Sequence, residues 1–116
     1  MNCSQFIADS LAVRTAAHMA HLTTRSYSHH KALESFYDGL VPLIDRYAEA
    51  HMGEHNIASF PAARVPATTD AEQMLKDYIV VVRDKQADEA EHKTKETILT
   101  EIEELALTTL YRMKLK

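Results

Sequence analysis

A chain of 116 residues with 46% apolar residues is long enough for one hydrophobic core, so we expect a single helical domain over residues 1–116. Helix-forming residues dominate, and two glycines and three prolines are few for a β-rich or loop-rich protein. The net charge of −4 and the absence of a basic N-terminal arm argue against DNA binding.

Other features of the composition indicate a soluble cytoplasmic protein. The single cysteine, Cys3, excludes an intramolecular disulfide and any multi-cysteine metal site. No apolar run approaches the ~20 residues that cross a membrane, and the N-terminus lacks the pattern of a signal peptide. The basic stretch YRMKLK at the C-terminus suits the negative end of a helix dipole.

Helical periodicity predicts the first two helices, over about residues 4–23 and 29–52. Ser26 or Ser28 is the expected N-cap of the second helix, and Gly53 its C-terminal stop. Pro42 lies inside this helix. We expect a kink there rather than a split, because the apolar spacing continues in phase on both sides. The predicted apolar stripes are Ile7, Leu11, His18 and Leu22 in the first helix and Leu33, Tyr37, Leu40, Ile44 and Ala48 in the second.

The second half of the chain predicts another pair of helices. A linker over residues 54–68 contains the other two prolines. Thr69 or Asp70 then caps a third helix, which we expect to end where large apolar residues cease after Arg83. One uninterrupted helix is the alternative, since no Gly or Pro marks the break. The fourth helix spans about residues 93–114.

The lengths of the connections predict the topology. Short connections make antiparallel hairpins of the first two and the last two helices. The middle linker can extend roughly 50 Å, whereas the second helix is about 36 Å long, so the linker can return along the whole bundle. We therefore expect an all-α fold, a ferritin-like four-helix bundle of two antiparallel hairpins joined by a long crossover.

Imidazoles and carboxylates recur at the border of the apolar stripe of the second helix. At about 100° per residue, one imidazole and four carboxylates, Asp38 among them, fall within roughly 100° of one another. Two more histidines share a face of the first helix. Such a set suits iron, manganese or zinc, although the polar border of an ordinary amphipathic helix accounts for the same pattern. The candidate ligands are His18, His21, His30, Glu34, Asp45 and Glu49.

The spacing in the second helix resembles that of the Dps-like ferritins, the starvation-induced DNA-protection family. In that family a His is followed by an acid four residues later, an Asp eleven further on and a Glu four beyond that. Here His30, Glu34, Asp45 and Glu49 stand in this register. The last helix, ILTEIEELALTTLYRMKLK, is also similar. A weaker likeness, in HKALESFYDGL, is to small ferritin-like proteins of bacteriophages.

The family also carries a His on the preceding helix, for which this chain offers two candidates. His18 keeps the family's separation of twelve residues from His30, whereas His21 matches its local pattern of two histidines three apart. The chain departs from the family in lacking the Trp beside the site, in having Glu34 where Asp is usual, and in carrying Pro42 between the two ligand pairs.

The resemblance implies a homo-oligomer, a dimer or larger, with a dinuclear iron site across a two-fold interface. His18 or His21 with His30 and Glu34 would come from one subunit, and Asp45 and Glu49 from the other. Iron(II) would be bound and oxidised by peroxide or oxygen, as in a ferroxidase-type oxidoreductase. Zinc and manganese are the alternative metals.

Two other interpretations remain open. Glu89 and His92 form one Glu-x-x-His pair, whereas di-iron bundles need two such pairs. The alternative is that the surrounding stretch, DKQADEAEHKTKE, is a solvated charged segment. The alternative function is that of a ferritin-like bundle without metal chemistry, for example phage-encoded, that serves as a structural or interaction module for a protein partner.

Overall fold

The computed structural model describes all residues, Met1–Lys116, and contains four α-helices and no strand. This confirms the all-α part of the predicted fold class and the number of helices. The break between the last two helices confirms that they are separate. The helices are α1 Cys3–Thr23, α2 Tyr27–Glu54, α3 Ala71–Asp88 and α4 Lys93–Met113.

Three of the four helices begin at a side-chain cap that the sequence supplies. The Asn2 side chain accepts a hydrogen bond from a main-chain N–H of the first turn of α1, and Ser26 does the same for α2. Asp70 caps α3 by accepting from the N–H groups of Glu72 and Gln73. Each cap satisfies a donor that has no partner within its helix. Ser26 and Asp70 are therefore the residues that fill the two predicted caps.

α2 continues through Pro42, so this proline does not split the helix. Gly53 was predicted to stop α2, and that prediction is wrong. Gly53 lies within the last helical turn, and no glycine of the chain adopts a positive φ. The helix ends one residue later, where His55 takes an extended conformation and donates its N–H to the carbonyl of His51.

The four helices surround one hydrophobic core. α1 packs against α2 and α3, and α4 packs against the same two helices. Each fully buried large apolar side chain contributes roughly 1.5–3 kcal/mol to folding, so the core provides the main driving force. Its largest fully buried members are Phe6, Ile7, Leu33, Phe36, Leu40, Ile44, Tyr47, Leu75, Val82, Leu99 and Ile102.

The predicted stripe of α1 is only partly correct. Ile7 is buried, but Leu11 is 41% exposed and Leu22 is 69% exposed. The buried face instead contains small and polar residues, among them Ser10, Ala17 and His21. Apolar residues lie on every side of α1, so periodicity alone does not determine which side faces the core.

Residues 55–70 form the predicted linker and lie against α1. The main-chain N–H and the guanidinium of Arg64 bind the Asp9 carboxylate at 2.6 to 2.8 Å, and the Gln5 amide donates to the carbonyl of Ala62. Burial raises the pKa of Asp9, but the Arg64 contacts outweigh it, and the pKa lies below its usual value. No helix is long and apolar enough to span a membrane.

Candidate metal centre

Two histidines join the end of α1 to the start of α2. The Nδ1 of His21 lies 2.7 Å from the carbonyl oxygen of His30, and the Nδ1 of His30 lies 2.8 Å from the carbonyl oxygen of His21. Their rings stack with centroids 3.8 Å apart and planes within 19°. The pair is thus held by two reciprocal hydrogen bonds.

These hydrogen bonds follow from the way in which α1 ends. The last carbonyls of a helix lack a partner within the helix. The ring of His30 supplies a hydrogen-bond donor to one of them, the carbonyl of His21. A carbonyl can only accept, so Nδ1 carries the proton in both rings. In the neutral imidazole the Nε2 atom is then left with a free lone pair. Metal-bound histidines commonly donate one ring N–H to a main-chain carbonyl. That hydrogen bond orients the ring and leaves the other nitrogen to coordinate the metal.

Glu34 completes a group of three. It lies one helical turn after His30, and one potential ligand atom from each of His21, His30 and Glu34 lies within 4.8 Å of the others. Two ligands about 2.1 Å from the same ion are at most about 4.2 Å apart, so the three groups would have to move closer together to share one ion. His21 is buried and the other two are half-buried, which leaves the group accessible from one side.

The carboxylate of Glu34 is only weakly engaged by other charged groups. Its one charged contact is with Lys31 at 3.8 Å, and both side chains are exposed by more than a third. Nearby, burial and the carboxylates of Asp38 and Glu34 raise the pKa of Tyr37. Arg14 lowers the pKa of Tyr37, and Lys31 lies beside Glu34, so nearby cations offset part of this negative charge.

His18 and His29 lie outside the group. The His18 ring stacks on Tyr37, with centroids 4.2 Å apart, and its own centroid is 6.0 Å from that of His21. The Nε2 of His29 lies 2.9 Å from the carbonyl of Met113 at the end of α4, so its proton is on Nε2. The structure therefore brings His21, rather than His18, to His30 and Glu34.

Asp45 and Glu49 do not reach this group within one chain. Asp45 lies eleven residues beyond Glu34, about 16 Å along the helix, and both Asp45 and Glu49 are exposed. The predicted position beside the apolar stripe is wrong for these two acids. The buried face of α2 is centred near Leu40, and at about 100° per residue Glu49 lies on the opposite side of the helix.

A second polar cluster, at the α3–α4 connection, was missed by the sequence interpretation. Glu89 is 4% exposed, Lys85 is 4% exposed and Lys95 is 3% exposed. The Nζ of Lys95 lies 3.1 Å from one carboxylate oxygen of Glu89, and the Nζ of Lys85 lies 3.6 Å from the other. The expectation of a solvated segment is thus wrong for these three residues.

The start of α1 and the end of α2 cover this cluster. The Tyr47 hydroxyl and the Cys3 thiol both donate to the same oxygen of Glu89, at 3.3 and 3.5 Å, and Lys85 donates to the carbonyl of Met1. Burial raises the pKa of Glu89, but Lys95, the thiol and Lys85 together outweigh it and hold the pKa below 4.5. Burial, and then the neighbouring Cys3 thiol and Glu89 carboxylate, raise the pKa of Tyr47.

The contacts of Glu89 argue against the Glu-x-x-His interpretation. Two ammonium groups lie beside the carboxylate that would have to bind a metal, and they would repel a cation. His92 is half exposed, with its Nδ1 3.5 Å from Glu89. The i,i+4 spacing of Lys85 and Glu89 was a visible signal of pairing, but their burial depends on packing from α1 and α2.

One sequence family matches most of the chain. The match covers residues 21–113 and carries the description "Family of unknown function (DUF5856)". The chain belongs to the DUF5856 family. The matched region includes His21, His30 and Glu34 and begins after His18. No curated protein and no solved structure is significantly similar to the chain.

Proposed function

We propose that this chain is a ferritin-like metal-binding protein of the cytoplasm that binds iron(II) and oxidises it in a homo-oligomer. The observation that carries the proposal is the group of His21, His30 and Glu34, whose ligand atoms lie within 4.8 Å of one another. Two imidazoles with free Nε2 atoms and one carboxylate suit a divalent transition metal. Zinc and manganese fit the same donors.

Contacts between the helices support the ferritin-like topology. The Cys3 thiol at the start of α1 lies 3.3 Å from the Tyr47 hydroxyl near the end of α2, while His21 and His30 pair the opposite ends, as two antiparallel helices would. Arg83 and Glu103 likewise pair the second half of α3 with the middle of α4. The linker between these two hairpins returns along α1, as a long crossover requires.

A second copy of the chain would complete the site. Three ligands on one side leave coordination positions open, and the exposed carboxylates of Asp45 and Glu49 point away from their own core. Exposed Leu22 lies close to the group in sequence and would supply apolar contact area. We propose a dimer or larger assembly in which the partner contributes these two acids to a dinuclear site.

The chemistry of this site would be the oxidation of two iron(II) ions by one peroxide. Each ion loses one electron, the peroxide oxygen–oxygen bond breaks, and two hydroxide ions form. Carboxylates such as Glu34 stabilise the higher charge of iron(III), and neutral imidazoles limit the negative charge of the site.

Paired variants test the proposal. Glu34→Gln should abolish stoichiometric iron(II) binding and reduce iron oxidation to the rate in buffer, while Asp38→Asn on the same helix should leave both unchanged. His30→Gln should behave like Glu34→Gln, with His29→Gln as its matched control. Metal content and the rate of iron(III) formation are the measurements. Purified wild-type protein without stoichiometric metal, or with oxidation at the buffer rate, would refute the proposal.

The second candidate is an interaction module without metal chemistry. The observation that favours it is the exposure of Leu22 at 69% and Tyr27 at 75%, next to the histidine pair, because such side chains can bind a protein partner. The two candidates differ in their response to metal. A ligand at 100 times its Kd stabilises the native state by about 2.7 kcal/mol, so a melting temperature unchanged by iron, zinc or manganese favours the module.

A further inference from the structure

Cations outnumber acidic partners where the start of α2 meets the end of α4. Residues 10–33 and 105–116 contain no Asp or Glu. Lys31, Arg112 and Lys114 lie in these segments, and the contact of Lys31 with Glu34 at 3.8 Å is the one ion pair among them. Elsewhere the arginines are paired, for example Arg46 with Glu101 at 3.0 Å and Arg83 with Glu103 at 2.6 Å.

Helix dipoles explain only part of this charge. The negative end of α4 stabilises Arg112 and Lys114. The start of α2 is the positive end of its dipole and favours an acid, yet the first turn of α2 contains none and Lys31 follows directly. Glu34 offsets part of this charge through its contact with Lys31, whereas Arg112 and Lys114 have no acidic partner.

Two adjoining clefts lie at this corner, with volumes of about 420 and 390 Å³. Tyr27, Ser28 and Leu115 line both clefts. The first cleft also contains Lys114, and the second contains Lys31 and Arg112. The corner thus combines cations and a hydroxyl group with one aromatic and one aliphatic surface, since Tyr27 is 75% exposed and Leu115 is 48% exposed.

We propose that this corner binds a small organic phosphate. The phosphate would accept charge-assisted hydrogen bonds from Lys31 and Arg112 and a hydrogen bond from the Ser28 hydroxyl. An apolar or planar group of the ligand would pack on Tyr27 and Leu115. The site adjoins the metal group: the ring of Tyr27 stacks near that of His30, with centroids 6.4 Å apart, and Lys31 contacts Glu34 at 3.8 Å. Its own lining contributes no metal ligand.

Calorimetric titration of the metal-free protein at low ionic strength tests this site with four probes: adenosine monophosphate, adenosine, inorganic phosphate and a short oligonucleotide. We expect saturable binding of the monophosphate that weakens with added salt, weaker binding of phosphate, and none of adenosine. Replacing both Lys31 and Arg112 by Gln should weaken monophosphate binding about 100-fold, because each cation that is removed should weaken it roughly tenfold.

A variant with Lys76→Gln and Lys93→Gln is the matched control, because it removes two exposed, unpaired cations elsewhere. It should bind the monophosphate like the wild type. Equally weakened binding in both variants would show non-specific charge attraction and overturn the site. Absence of saturable binding, or equal binding of adenosine, would also overturn it. So would binding of an oligonucleotide without binding of the monophosphate, because that result indicates a polyanion surface.

Discussion

Glu89 holds two buried lysines, and its removal should be among the most destabilising single substitutions in this protein. Glu89→Gln keeps the size of the side chain but removes its charge, which leaves Lys85 and Lys95 buried beside a neutral amide. The lysines are 4% and 3% exposed, and their Nζ atoms lie 3.6 and 3.1 Å from the carboxylate. Loss of one partner from a buried ion pair costs about 3–5 kcal/mol.

The assay is urea unfolding of the metal-free protein at neutral pH, followed by circular dichroism. A domain of this size typically has a free energy of unfolding of about 5–15 kcal/mol. Glu89→Gln should therefore remove a large share of that free energy. Glu91→Gln is the control, because Glu91 is exposed and forms no ion pair, and we expect a change within about 0.5 kcal/mol. Adding Lys85→Met to Glu89→Gln should restore part of the stability. Equal stability of the Glu89 and Glu91 variants would refute the assignment of a buried ion cluster.

The pH dependence gives a second test of the same cluster. The pKa of Glu89 in the folded protein is lowered from its ordinary value, so its stabilising contribution is present above the unfolded pKa and is lost as pH falls through the lower, folded pKa. The difference in unfolding free energy between wild type and Glu89→Gln should therefore narrow as pH is lowered below 4.5. A difference that grows under acid conditions would contradict the low pKa.

Three further substitutions test the helix boundaries and the core by urea unfolding. Gly53→Ala should stabilise the protein by about 0.5–1 kcal/mol, because Gly53 is helical and an added Cβ would meet nothing within 4 Å. Destabilisation would instead indicate that Gly53 ends the helix in a left-handed conformation. Pro42→Ala should also stabilise the protein, by roughly 1–3 kcal/mol, because proline in a helix interior removes a hydrogen bond. An unchanged free energy of unfolding would contradict a continuous α2. Tyr78→Phe should cost about 1–3 kcal/mol, because it leaves the buried Ser10 hydroxyl without its partner at 2.8 Å. Adding Ser10→Ala should recover part of that stability, and a purely additive double variant would contradict the hydrogen bond.

The helices of this protein could be predicted from the sequence because their signals are local. Ser26 and Asp70 act through neighbouring N–H groups, and the predicted bounds of the fourth helix, 93–114, differ by one residue from the observed Lys93–Met113. Gly53 was misassigned because a glycine near a helix end has the same local signal whether it stops the helix or lies within its last turn.

The candidate site could be predicted only in part. The register of His30 and Glu34 is local to one helix, and so it was visible. The choice of His21 over His18 depends on how closely α1 and α2 approach, which the spacing of residues does not specify. The burial of Glu89 depends on packing by the distant Cys3 and Tyr47, so the charged pattern around it could not be distinguished from a solvated surface.

The most direct test of the metal centre is nuclear magnetic resonance of the imidazole nitrogens during zinc titration. In the metal-free protein we expect His21 and His30 to carry the proton on Nδ1 and His29 to carry it on Nε2, as their carbonyl partners require. Zinc should shift the Nε2 resonances of His21 and His30 and leave those of His18 and His29 unchanged. Protons on Nε2 of His21 and His30, or a zinc response at His18 instead of His21, would contradict the account.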